Sequence, residues 1–334
     1  MVNIAVLGTG RIGQMHVDNL AAHPRAQLGG VFDVNTSAAQ AVANKHNTIL
    51  FNSINDVFAS PKVDAVLIST STATHADLIE QAVAANKAIF CEKPIDLSLD
   101  RIKSCEQKIK GTSLPIMLGF VRRFDKGHSA VRQAVELGKV GDLHQVIITS
   151  RDPDMAPDAY IEVSGGIFKD MTIHDFDMAR FILGEDITEV FASGSRLVNE
   201  SLMKRCNDYD TVTIVMKTAS GKQCIINNSR RAVYGYDQRV EAFGSQGMAI
   251  SENHPMNNLR LYSTEFTDQK PALMNFFIDR YGDAFNTEIS HFVECIEQGK
   301  QPKVGFEDGK QALVLAEAAS RSIIEGRTIH TKEI

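Results

Sequence analysis

The chain has no C-x-x-C pair, and its five cysteines are an odd count scattered through 334 residues. Neither a disulfide framework nor a zinc site follows from that pattern; it suits reduced thiols inside a cell. There is no basic tract: 35 Lys and Arg stand against 41 Asp and Glu, a formal charge of -6. A nucleic-acid partner would need a concentrated basic surface, so none is expected. The apolar runs fall well short of the ~18 residues of a membrane span. The opening "MVNIAVLGTGRIG" shows no charged region or cleavage site of a secretory signal. Internal repeats and low-complexity segments are also missing. These absences lead to the expectation of a soluble, cytoplasmic protein with no membrane partner. At 334 residues it exceeds what one hydrophobic core usually serves, so two domains are expected.

What is present begins with a cycle of short apolar runs and helical patterns. "NIAVLG" (3–8), "AQLGGVFD" (26–33), "VDAVLIST" (63–70) and "KAIFCEK" (87–93) read as strands without polar alternation. Helical segments such as "TSAAQAVANKH", opened by a possible Thr36 cap, lie between them. Strands buried on both faces and joined by helices predict a doubly wound parallel sheet. The character changes near residue 120. "HQVIITSRDP", "ITEVFASGS", "DTVTIVMKTASGKQCIINNSRRA" and "DQRVEAFGSQGMAIS" read as strands, with hairpin turns at "SGK" and "SQG". The run "TVTIVMK" alternates, as in a sheet with one face covered. A final helix over 308–326 ends at Gly326, a plausible residue just past a helix end. The expected architecture is α/β, a Rossmann domain over 1–120 followed by an α+β domain over 121–334 with an open, mostly antiparallel sheet.

"GTGRIG" (8–13) is G-x-G-x-x-G, weak by itself, but here it follows a strand and opens a helix. Asp33 stands at the end of the second strand, 20 positions beyond Gly13. Together these form the dinucleotide-binding fingerprint. Gly8 permits the turn, Gly10 lets backbone approach a diphosphate, and Gly13 lets the helix pack closely. Arg11 and Ile12 offer helix N-terminal N–H groups. Asp33 would accept from ribose hydroxyls and repel a 2′-phosphate, so NAD is favoured over NADP. At later strand ends, Thr70, Ser71 and His75 in "STSTATH", and Glu92 and Lys93 in "CEKP", are further cofactor-side candidates. Pro94 restricts the Glu92–Lys93 backbone. A lysine there is otherwise most often a surface charge.

"SGGIFKDMTIHDFDMARFIL" (164–183) reads as a buried helix that carries Asp170, His174 and Asp177. At about 100° per residue these three fall in a stripe about 60° wide along the edge of the apolar face. An Asp four residues before a His can orient the ring. By spacing alone, a solvated helix edge, a metal pair or a satisfied core histidine are competing readings. No further metal ligands are suggested nearby.

In "GTGRIG", "CEKPI", "GFVRRFD", "GGIFKDMTIHDFDMARF" and "YGYDQRVEAFGSQG", taken in order, the chain resembles the glucose–fructose oxidoreductase / inositol dehydrogenase (Gfo/Idh/MocA) group, the inositol dehydrogenases most of all. The resemblance implies NAD-dependent oxidation of a ring hydroxyl, with hydride passing to the nicotinamide. It implies Lys93, Asp170 and His174 as the catalytic set. His174 would be the base, Asp170 its partner, and Lys93 a donor to the reacting oxygen. It also implies a homo-oligomer, tetramer or dimer, built on the open sheet. A substrate-facing arginine maps to Arg123, with Arg122 adjacent, and a tyrosine to Tyr236 or Tyr234. Asp152 and Asp154 are weaker substrate candidates. The expected substrate is myo-inositol; scyllo-inositol, glucose or another cyclic sugar is the close alternative. A non-catalytic NAD-binding sensor and a hydrolase with an internal redox cycle are the competing functions.

Overall fold

The computed structural model describes residues 1–334 and divides into two compact units, Met1–Val121 with Asp283–Gln311, and Arg122–Gly282 with Ala312–Ile334.

The first unit is built on five parallel strands, β1 (Val2–Leu7), β2 (Ala26–Phe32), β3 (Ala65–Ile68), β4 (Ala88–Cys91) and β5 (Ile116–Leu118), in the order β2-β1-β3-β4-β5. Every residue of β3, β4 and β5 is buried. That accounts for the unbroken apolar runs, since a parallel sheet is covered on both faces. The cover comes from α1 (Arg11–Ala22), α2 (Thr36–His46), α3 (Ile54–Ala59), α4 (His75–Ala84) and α5 (Leu99–Ile109). Asn35, not Thr36, caps α2: its side-chain oxygen accepts from the Ala38 N–H at 3.1 Å. Asn precedes the first helical residue with backbone free to bend, whereas Thr36 is already helical.

The second unit carries seven strands: β6 (Leu143–Arg151), β7 (Ile187–Ser195), β8 (Thr211–Thr218), β9 (Gln223–Ser229), β10 (Asp237–Gly244), β11 (Gly247–Ser251) and β12 (Ile329–His330). Their order is β11-β10-β6-β9-β8-β7-β12. All pairs are antiparallel except β6 with β9. The hairpins β8–β9 and β10–β11 turn at the "SGK" and "SQG" segments. Alternate residues of β8 are buried and exposed, so one face of this sheet is covered. Helices α6 (Lys126–Glu136), α7 (Asp158–Ile161), α8 (Ile167–Asp170), α9 (Ile173–Leu183), α10 (Glu200–Arg205) and α11 (Phe277–Arg280) belong to this unit.

A single boundary near residue 120 does not describe the chain. Residues 283–311, which hold most of α12 (Gly282–Gln298) and the start of α13 (Phe306–Glu325), return to the first unit. The cause is aromatic: Phe292 meets Phe90 of β4 edge-on at 5.8 Å, and Phe285 meets His16 of α1 at 5.9 Å. At the end of α13, Gly326 has φ +64 and its N–H donates to the Ser322 carbonyl, as a left-handed stop does. No helix is long and apolar enough to cross a membrane.

Candidate active site

In the first unit, β1 runs into the glycine loop. Gly8 has φ +94, and a Cβ there would sit 2.5 Å from the Ser69 carbonyl oxygen. At Gly13 a Cβ would meet the Gly8 carbonyl at 2.0 Å, so α1 can lie this close to the loop only without a side chain. Gly10 faces open space and is the N-cap of α1, where no side chain caps the first N–H groups. Those uncapped donors, at the positive end of the helix, suit an anion such as a diphosphate. Arg11 is exposed there and Ile12 half-buried. Asp33 is drawn against the loop: one carboxylate oxygen accepts from Thr9 N at 2.6 Å and Thr9 Oγ1 at 3.0 Å, the other from Asn35 N at 2.8 Å. Its remaining lone pairs suit a vicinal diol, the chemistry of a ribose.

The loops after β3 and β4 are locked together. Thr70 Oγ1 bonds Thr74 Oγ1 at 2.7 Å, and Thr74 donates to the Ser71 carbonyl. His75 is buried; its Nδ1 lies 2.8 Å from the Pro94 carbonyl oxygen and its Nε2 3.0 Å from that of Thr70. Its ring is therefore a strut between the two loops rather than a group turned toward a cofactor. The Glu92 carboxylate likewise points inward, 2.7 Å from His16 Nε2. Lys93 is half-buried and precedes Pro94 through a cis peptide bond.

In the second unit the segment 164–183 is not one helix. Gly165 and Gly166 have φ +84 and +87, α8 runs only from Ile167 to Asp170, and α9 starts at Ile173. At the joint the Thr172 N–H reaches back to the Ile167 carbonyl, five residues away, which breaks the uniform 100° step. The expected stripe is split accordingly. Asp170 and His174 lie on either side of the joint. Asp177 is buried in a bidentate ion pair with Arg123, whose guanidinium lies 5.1 Å from the centre of the Phe181 ring.

Asp170 is clamped from two sides. Tyr160 donates to one carboxylate oxygen at 2.7 Å, and Arg230 to the other at 3.1 Å. Arg230 is almost wholly buried and also reaches Asp208, whose carboxylate accepts the Ile167 N–H. Burial, with the Asp170 charge, pushes the Tyr160 hydroxyl well above the usual tyrosine range, so it remains a donor. Arg122 pairs with Asp175 at 2.5 Å and bonds Ser150; Asn228 donates to the other Asp175 oxygen and accepts from Thr172.

Asp152 lies in this field. Burial first, then Asp170, raise its carboxyl to about 6, against the opposing pull of Arg122 and Arg230. Tyr236 is buried and senses Arg122, Asp152 and Asp175. Tyr234 instead donates to Asp237 at 2.6 Å and accepts from Arg151. Asp154 is exposed. Asp152 thus feels Asp170 and Arg122, and Tyr236 feels Arg122 and Asp152, while Tyr234 is held by Asp237 and Arg151. Acidic acceptors beside fixed cations and a buried phenol suit a polyhydroxylated ligand.

Residues 2–120 match the family model described as "Oxidoreductase family, NAD-binding Rossmann fold", and residues 128–250 match the "GFO/IDH/MocA C-terminal domain". The chain belongs to the GFO/IDH/MocA oxidoreductases. It is 45% identical over 328 residues to the inositol 2-dehydrogenase of Rhizobium meliloti, with 98% of each chain covered. A crystal structure of a myo-inositol dehydrogenase from Corynebacterium glutamicum superposes with a TM-score of 0.95 at 41% identity, over 99% of this chain and 98% of that one. The myo-inositol dehydrogenase of Lactobacillus casei, solved in complex with NAD(H) and myo-inositol, gives 0.89 at 26% identity, over 99% and 96%. This member of the family is therefore an NAD-binding oxidoreductase.

Sequence reasoning missed Tyr160 and Arg230, the two clamps on Asp170. Tyr160 lies ten residues from its partner and Arg230 sixty, and no periodic pattern links them. An arginine pair, "RR" at 230–231, right after the apolar strand β9 was the one available signal.

Proposed function

We propose that this oxidoreductase is an inositol dehydrogenase that oxidises a ring hydroxyl of myo-inositol with NAD. The observation that carries the reading is the clamp on Asp170, held by Tyr160 and Arg230, whose charge acts on the buried carboxyl of Asp152. A cyclic hexol presents both donors and acceptors to such a set. The inositol dehydrogenases among the relatives support the same substrate class.

The roles follow from charge and hydrogen-bonding capacity. The uncapped N-terminus of α1 and the Asp33 carboxylate would hold the diphosphate and adenosine ribose of NAD. Bound NAD supplies the two-electron acceptor. His174 takes the proton of the reacting hydroxyl, since imidazole titrates near neutrality. Asp170, held by Tyr160 and Arg230, favours the protonated ring and accepts from a neighbouring hydroxyl. Lys93 donates to the reacting oxygen as alkoxide character develops. Asp152, Tyr236 and Arg122 bind the remaining hydroxyls.

The outer face of the second sheet supports a homo-oligomer: Phe191, Val215, Phe243, Met248 and Ile250 are all more than 40% exposed. Apolar side chains grouped on one sheet face favour contact with a second copy. All five cysteines are free thiols, which suits a reducing cytoplasm.

The deciding experiment is NADH formation with NAD or NADP against myo-inositol, scyllo-inositol, chiro-inositol, glucose and xylose. Turnover of an inositol with NAD is expected. NAD binding without turnover of any polyol would overturn the reading in favour of a sensor.

A further inference from the structure

Within the first unit, three titratable side chains meet away from solvent: His16 on α1, Glu92 just after β4, and Glu288 on α12. Their polar atoms lie within 4.8 Å of one another, and His16 and Glu288 are wholly buried. Aromatic rings enclose them, with Phe90 and Phe285 edge-on to His16 at 5.2 and 5.9 Å. Glu92 is held tightly. Its backbone N–H donates to the Ile68 carbonyl, and its carboxyl group fills the space over Gly119, where a Cβ would come within 2.9 Å of it. No donor faces either carboxyl oxygen of Glu288, and Nδ1 of His16 has no partner either.

A bare carboxylate in a dry, aromatic-lined interior is untenable, so Glu288 must be neutralised by a proton or a cation. The 2.7 Å approach of His16 Nε2 to Glu92 decides between them. That separation is a hydrogen bond, so the proton sits between the two atoms. The imidazole lone pair a metal would need is then not directed at the shared space. Burial, and after it the Glu92 charge, push the Glu288 carboxyl well above its ordinary range. A neutral Glu288 carries an O–H, and the acceptor closest in character is the Glu92 carboxylate.

We propose that Glu288 is a positioning residue, a neutral carboxylic acid that works with His16 to hold the Glu92 carboxylate and, through the backbone, the adjoining Lys93. The inference rests on the reading of Lys93 as the donor to the reacting oxygen. It explains why the loop after β4 places an acid inside the fold immediately before its lysine.

The test compares Glu288→Gln, which keeps the shape and a hydrogen-bond donor, with Glu288→Leu, which keeps only the volume. Glu288→Gln should retain the wild-type kcat. Glu288→Leu should lose about ten- to a hundredfold in kcat, the scale of a misplaced catalytic group, with KM for NAD little changed. A wild-type kcat in Glu288→Leu, or equal losses in both variants, would overturn the proposal. A second measurement does not depend on turnover or on the Leu variant folding. In ¹³C-carboxyl NMR of glutamate-labelled protein, the resonance lost in Glu288→Gln should keep its neutral-acid position from about pH 6 to about pH 8, above the ordinary glutamate range. An ionised resonance, or one divalent metal per chain by elemental analysis, would overturn it. If the wild type turns over no inositol but the resonance is neutral, the proposed function fails while the buried acid stands.

Discussion

Arg230 donates one guanidinium nitrogen to Asp170 at 3.1 Å and the other to Asp208 at 3.4 Å, so a single buried cation ties a candidate catalytic carboxylate to the start of α8. A lysine in its place keeps the charge but is a point donor that cannot serve both acids in one fixed geometry. Arg230→Lys should therefore lower kcat with the inositol substrate by about ten- to a hundredfold while leaving NAD affinity near wild type. Steady-state kinetics with each substrate varied separately will show the split. An equal rise in KM for NAD would mean that the arginine supports the whole fold and not this carboxylate.

His174 stands in the first turn of α9, just beyond the irregular joint after Asp170. As general base its removal should cost about a hundred- to ten-thousandfold in kcat. His174→Ala should still bind NAD, measured by fluorescence quenching or calorimetry. Turnover close to wild type would remove the base assignment.

Arg123 and Asp177 form a buried, bidentate ion pair. Removing one partner strands the other charge out of water, a loss of about 3–5 kcal/mol. Arg123→Met should lower the unfolding midpoint sharply, and Asp177→Leu added to it should recover much of that loss, because two apolar side chains can replace the pair. Chemical denaturation of the two single variants and the double variant gives the cycle. The double variant should also keep its KM for inositol; a large rise would return Arg123 to the substrate.

Asp33 already accepts two hydrogen bonds from Thr9, so its carboxylate fixes the glycine loop in addition to its proposed role on the ribose. Hydrogen bonds to a charged acceptor contribute about 1.5–3 kcal/mol each. Asp33→Ser should raise KM for NAD by about ten- to a hundredfold. Loss of the carboxylate also removes its repulsion of a 2′-phosphate, so the NAD-to-NADP ratio of kcat/KM should fall. An unchanged ratio would show that cofactor choice is made elsewhere.

The legible parts of the fold were those whose signal is local. β7 runs over the residues that its sequence pattern marks, 187–195, and the alternation in "TVTIVMK" matches the alternating burial of β8. The glycine loop and Asp33 were legible because a fixed spacing and a tight turn leave few other uses for those residues. The stripe of Asp170, His174 and Asp177 was half legible. It assumed a uniform helix, and the five-residue reach of the Thr172 N–H turns α9 out of register with α8. The pairings Asp170–Arg230 and Arg122–Asp175 span 60 and 53 residues and depend on how strands order in the sheet. The return of α12 to the first unit was hidden for the same reason: Phe285 and Phe292 look like any helix core until Phe90 and His16 are known to face them.

Asp152 gives the most direct pH test. Its carboxyl, raised to about 6 by burial and by Asp170, is still protonated where an ordinary aspartate has already ionised. Because the folded-state value lies above the unfolded one, the folded state binds the extra proton between about pH 4 and pH 6. Its contribution to stability is thus full below the ordinary carboxyl value and lost as pH rises through 6. Asp152→Asn cannot ionise, so it should remove that fall, and the variant should gain on the wild type from about pH 4 to about pH 7 in denaturation experiments. For catalysis the direction is opposite. Only the ionised carboxylate accepts from two substrate hydroxyls, so KM for inositol in the wild type should drop as pH rises through 6. In Asp152→Asn, KM should be higher and flat across that interval. A KM that still falls with the same midpoint would assign the inflection to another group.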